Sequence, residues 1–129
     1  MKKNKISKNW INKQRRDIYF RQSKVEGYRS RAVYKLQEID LKFKIFKNGM
    51  SVIDLGAAPG SWSQYVSKNI KSGKILSIDI LNFEKIENIH QIKGDFTIDI
   101  YKNKIIGYFG TKVDVVISDM AVTLQAIKT

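Results

Sequence analysis

Asp54, Asp79, Asp95 and Asp119 each stand at or just past the end of a short apolar run. One such aspartate is ordinary loop chemistry. Four in four deliver carboxylates to a single rim if the runs are strands of one sheet, and such a rim suits a cationic ligand. The first run leads into Gly56-Ala57-Ala58-Pro59-Gly60, whose glycines allow close backbone approach, and the helix start behind it offers free N–H groups. The loop is not the G-x-G-x-x-G of dinucleotide folds, because Ala58 takes the second position and the third glycine is absent. A P-loop is excluded as well, since no Gly-Lys-Ser/Thr follows.

Without a pyrophosphate cradle, the loop suits a cofactor that has no phosphates. S-adenosylmethionine is such a cofactor, and its sulfonium and ammonium favour an acidic rim; an ordinary strand-to-helix turn is the alternative. Asp79 lies 19 residues after Gly60, the separation at which a carboxylate can accept both ribose hydroxyls of an adenosine, although a helix N-cap explains it too. Asp95, within Gly94-Asp95-Phe96, reads equally as a turn or cap residue, and Trp62 either shields a cofactor or packs its helix. Other chemistries are poorly supplied. There is no cysteine, hence no disulfide framework, zinc finger or thiol nucleophile, and the one histidine is His90.

These residues need a frame, and the apolar pattern supplies one. Ser51–Leu55, Lys74–Asp79, Ile89–Lys93 and Lys112–Ser118 read as strands, separated by helices at 61–70 and 97–109 and a weak helix at 84–88. Alternation of this kind predicts an α/β fold, a parallel doubly wound sheet buried on both faces, with ligands beyond the carboxyl ends of the strands. Upstream, a helix is expected over 7–25, with Trp10, Ile11, Ile18 and Tyr19 recurring at near-helical spacing. A second helix follows, N-capped by Ser30, with Ala32, Leu36, Ile39 and Phe43 as its apolar stripe.

Charge is divided unevenly over the 129 residues. Residues 1–35 hold 12 Lys and Arg against Asp17 and Glu26, a net of +10 out of the chain's +12. Codon bias cannot make one end alone basic, so a polyanion is the expected partner: nucleic acid first, an anionic membrane surface as the rival. No apolar run approaches the roughly 20 residues that span a bilayer, and no apolar segment follows the basic start as in a secretory signal. The expected setting is the cytoplasm.

In order along the chain come Ser30-Arg31-Ala32-Val33-Tyr34-Lys35-Leu36, Asp54-Leu55-Gly56-Ala57-Ala58-Pro59-Gly60-Ser61-Trp62, Ile78-Asp79, Gly94-Asp95-Phe96 and Ser118-Asp119-Met120-Ala121. The series resembles the FtsJ/RrmJ family of ribosomal RNA 2′-O-methyltransferases of the bacterial large-subunit type, from about Trp10 to Ala121. The resemblance implies a Rossmann-like S-adenosylmethionine-dependent methyltransferase fold and 2′-O-methylation of a ribose, on uridine, in large-subunit ribosomal RNA. It implies cofactor contacts at Gly60, Trp62, Asp79, Asp95 and Asp119. Lys35 and Asp119 match the first two members of the family's Lys-Asp-Lys-Glu catalytic set; on chemistry alone Lys35 would be one more solvated basic residue. RNA-facing roles are expected for the basic N-terminal region, with Arg15, Arg16, Arg29 and Arg31 as candidates, and no metal is implied.

The likeness ends after Ala121. No glutamate follows Asp119, and the only later lysine is Lys128, so the second lysine and the glutamate of the set have no counterpart. The expectation is a C-terminally truncated member with strands one to four of a seven-stranded sheet. Its expected parts are a basic helical region at 1–47, the first part of the methyltransferase domain at 48–121 and a divergent tail at 122–129. A non-catalytic RNA-binding remnant or fragment of such an enzyme is the alternative. An apolar fourth strand left at the sheet edge is expected to favour self-association.

Overall fold

The computed structural model describes residues 2–110 and 112–120; Ala121 and the expected tail at 122–129, with Lys128, lie outside them. The elements run α1 (Lys2–Glu26), α2 (Val33–Phe43), β1 (Ser51–Leu55), α3 (Ser61–Asn69), β2 (Lys74–Asp79), β3 (His90–Lys93), α4 (Asp99–Phe109) and β4 (Val115–Ser118). All strand pairings are parallel, in the order β3-β2-β1-β4. The chain therefore works outward from β1 to β3 and then returns to the far side of β1. The strand order reverses between β1 and β4, which is where sheets of this type bind ligands.

Alternation along each strand builds two cores. Val52, Ile75 and Ile117 face α2 and α3, where Val33, Leu36, Trp62 and Val66 close over them. Ile53, Leu76, Ile78 and Ile92 point to the other side and meet Phe109, Tyr101 and Ile105 of α4. Burial on both faces is why these strands are nearly continuous in apolar residues. Because α2 shares the core of α3, only α1 stands away from the sheet.

Five local expectations are corrected by this packing. Residues 84–88 form no helix: Ile86 and Ile89 are buried from an irregular segment, and Asn88 takes φ 66° in a turn. Ser30 does not cap α2, whose first turn follows Ala32 without a side-chain cap; the Ser30 hydroxyl instead lies 2.8 Å from the Ser61 hydroxyl. The α2 stripe ends early, since Phe43 is exposed. On α1, Trp10, Ile11 and Ile18 are exposed and Tyr19 alone of the expected face is partly buried, against the core. Strand four begins at Val115 rather than at 112. Its outer edge has no strand partner among the described residues, and Val116 is 59% exposed. No described helix is long and apolar enough to cross a membrane.

Candidate active site

The loop from Gly56 to Gly60 crosses the top of the sheet at the point where strand order reverses. Gly56 and Ala57 donate their N–H groups to the Ile78 carbonyl at 2.9 and 3.1 Å, tying the loop to the end of β2. Gly60 has φ +113°, and a Cβ there would lie 2.8 Å from Ile86 Cδ1 and 3.0 Å from the Arg29 guanidinium. Its need for glycine thus comes from this left-handed backbone at the start of α3, with Ile86 and Arg29 packed against the position as well. Gly56 has φ +68°, and a Cβ there would collide with the side chain of Met120, the residue after Asp119.

Arg29 fastens the other side of the loop. Its guanidinium donates to the carbonyls of Pro59 at 2.9 Å, Glu84 at 2.6 Å and Lys85 at 3.0 Å. An arginine expected to face RNA therefore has three of its hydrogen bonds spent on protein backbone. Arg31, Arg15 and Arg16 are exposed.

The four rim aspartates occupy different environments. Asp79 accepts the Ala58 N–H on one carboxylate oxygen and the Leu81 N–H on the other, both at 2.9 Å, which fixes the carboxylate plane and leaves each oxygen a further lone pair. Asp54 lies one layer deeper, 1% exposed, and accepts the Ser63 hydroxyl at 2.6 Å. Burial pushes its carboxyl up to about 7, the nearby charges of Asp119 and Asp79 push the same way, and the Ser63 hydrogen bond opposes them. Asp95 accepts both the backbone N–H and the hydroxyl of Thr97, at 2.9 and 2.6 Å, and these bonds hold its carboxyl below the usual range. It is the turn residue that its sequence context equally allowed, and it lines none of the cavities around the loop.

Asp119 follows β4 directly, and Lys35 reaches it from α2: Nζ lies 4.0 Å from Oδ1, with the two side chains 70% and 37% exposed. Exposed pairs of this kind contribute little to stability, about 0–1 kcal/mol. The pair is brought together because α2 hangs on α3. Trp62 Nε1 donates to the Ala32 carbonyl at 2.8 Å, one turn before Lys35, and the Tyr65 hydroxyl donates to Asp40 at 2.6 Å further along. Trp62 is 6% exposed, so it packs its helix, and it also borders the site.

Two cavities meet at Ala58-Pro59. A small one of about 50 Å³ is bordered by Asp54, Asp119, Gly56 and Trp62. An open one of about 550 Å³ lies between Pro59, Leu81 and Phe83, with Asp79 held at its edge through the Leu81 and Ala58 amides. Leu81 and Phe83 were not singled out from sequence. The available signal was their apolar type two and four residues after the strand-two carboxylate, in a stretch with no strand or helix pattern; Leu81 is 63% exposed. An acidic end beside an apolar cleft fits S-adenosylmethionine in its donor set: carboxylates for the cationic groups and ribose, an apolar wall for the base. No group of three potential metal ligands occurs among the described residues.

A glycine loop at the strand-order reversal, a fixed carboxylate on the next strand and a helix-borne lysine at the rim define an α/β domain of the Rossmann-like methyltransferase class. The comparisons with known proteins make the assignment narrower. The model of the FtsJ-like methyltransferase family matches residues 28–129, and the chain belongs to that family. It is 67% identical over 128 residues to the ribosomal RNA large subunit methyltransferase E of Pelagibacter ubique, covering 99% of this chain and 63% of that protein. To the Legionella pneumophila protein of the same name it is 45% identical over 123 residues, covering 94% of this chain and 60% of that one. A crystal structure of a Plasmodium falciparum protein described as a ribosomal RNA methyltransferase aligns with TM-score 0.62 and 37% identity, over 74% of this chain and 58% of that one. The chain thus spans about three fifths of the length of the curated relatives it matches.

Proposed function

We propose that this chain carries the cofactor half and part of the catalytic set of an S-adenosylmethionine-dependent 2′-O-methyltransferase that acts on a ribose of large-subunit ribosomal RNA, in the cytoplasm. The observation that carries the reading is the Lys35–Asp119 pair at 4.0 Å, on two elements distant in sequence, beside the glycine loop. When bound, the cofactor supplies an electrophilic methyl group. Asp79 would hold the ribose, Asp54 and Asp119 would face the cationic end, and Trp62 would border it. Gly60 would shape the loop, and Asp95 would act from the neighbouring turn.

The substrate hydroxyl is a poor nucleophile, so positioning and charge must do much of the work. The Lys35 ammonium, drawn to Asp119, would orient the hydroxyl and stabilise negative charge on its oxygen as its proton passes to water at this exposed rim. Methyl transfer from labelled cofactor to undermethylated large ribosomal subunits tests this. Transfer is expected at high protein excess, with about a hundredfold or greater loss in Lys35→Ala, in line with the roughly 10²–10³ lost when one donor to a developing oxyanion is removed. No transfer by the unaltered chain would leave the RNA-binding remnant as the better reading.

A further inference from the structure

We infer that the groove between the end of α1 and the start of α2 holds an unstacked base of single-stranded RNA, with the Phe20 ring as its platform. The inference rests on the RNA-substrate reading above. A cavity of about 540 Å³ opens there, lined by Tyr19, Phe20, Arg31, Ala32, Lys35 and Glu38 among others. It shares Lys35 with the Lys35–Asp119 pair and Ser30 with the small cavity beside Asp54 and Asp119, and so adjoins the candidate active site.

The two aromatic walls differ. Tyr19 is fixed, stacked on Tyr34 with ring centroids 5.1 Å apart and its hydroxyl directed to Glu38. Phe20 is 53% exposed. The ring borders the groove beside Arg31 and Lys35, and base–aromatic stacking is the interaction that such a ring offers nucleic acid. The Lys24 ammonium lies 5.3 Å from the Phe20 ring centroid, so the platform already carries positive charge.

Charge separates base from backbone. Lys13, Arg16, Phe20 and Lys24 fall at i, i+3, i+7 and i+11 of α1, one stripe of a helix. The stripe gives phosphates a basic track that leads to the groove. Within the groove Glu38 disfavours a phosphate but tolerates a neutral base, while Arg31 and Lys35 flank the entry. A duplex, whose bases are stacked on each other, cannot use the platform, so the groove selects single strands.

Fluorescence anisotropy tests this on the 129-residue chain, with labelled single-stranded oligouridine of about ten nucleotides and a duplex of equal length as probes. The single strand is expected to bind more tightly. Phe20→Ala and Phe20→Leu are each expected to weaken it about tenfold with an unchanged salt dependence, and Phe20→Tyr to stay within about twofold of the unaltered chain. The leucine variant keeps apolar volume and helix propensity, so its loss reports the ring rather than the fold. Variants that bind as tightly as the unaltered chain, or that lose affinity together with salt dependence, overturn the stacking platform and leave the RNA-substrate reading standing. A chain that binds neither RNA probe but binds anionic phospholipid vesicles overturns both.

Discussion

Asp54 is the residue at which folding and electrostatics pull hardest against each other. It is buried, bonded to Ser63, and faces the charges of Asp79 and Asp119. Its carboxyl titrates near 7 in the folded chain against 3.8 for a free aspartate, so folding takes up a proton between those values. The folded form therefore loses stability as pH rises from about 4 to about 7, in total by roughly 4 kcal/mol, and the loss is complete above that window. Asp54→Asn removes the titration while keeping an acceptor for Ser63. Urea midpoints at pH 5 and pH 8 are expected to converge in the variant and to separate in the unaltered chain; equal separation in both would place the titration elsewhere. Asp79 is set up differently, half-buried and with each carboxylate oxygen accepting one backbone amide.

Among the elements, α2 is the one whose placement decides the site, because Lys35 rides on it. It is joined to α3 at Ser30···Ser61, Ala32–Trp62 and Asp40–Tyr65, so its axis follows that helix and α3 in turn follows the loop. Trp62→Phe removes the indole N–H and part of the core volume. A loss of roughly 1–3 kcal/mol is expected in urea unfolding, together with weaker methyl transfer, since Lys35 stands one turn from the released carbonyl. Unchanged stability would mean that α2 is held elsewhere. Much of this frame was legible in sequence. Strands β1 and β2 have the alternation and length that only a two-sided sheet explains, and the glycine loop marks their ligand end. What was not legible is tertiary. Ile86 and Ile89 keep a helical spacing yet are drawn separately into the core from an irregular segment with a turn between them. Arg29 finds its carbonyl partners 30, 55 and 56 residues away, which no local pattern encodes. The apolar residues of α1 have a helical period but little of the core to pack on. Lys35 was singled out through family resemblance, not through any feature of its own neighbourhood.

Over the whole molecule the charge has two poles. The first 35 residues hold +10 of the net +12, while the rim at the strand ends carries Asp54, Asp79 and Asp119. A polyanion is drawn to the first pole and a small cation to the second, so one chain can hold both ligands without their competing. The two attractions differ in reach. Binding along α1 releases counterions from the RNA backbone, and the logarithm of its affinity should fall with the logarithm of salt by about 0.7 for each phosphate engaged on a single strand. Neutralising Lys13, Arg15 and Arg16 together is thus expected to flatten that slope by about 2, with S-adenosylmethionine affinity unchanged. Asp79→Ala is expected to do the reverse: cofactor binding measured by calorimetry is lost, while the RNA slope stays where it was. The two results must appear together. If the triple variant also weakened the cofactor, the poles would be coupled through α2 and Lys35 rather than independent, and the arm would be part of the active site instead of its approach.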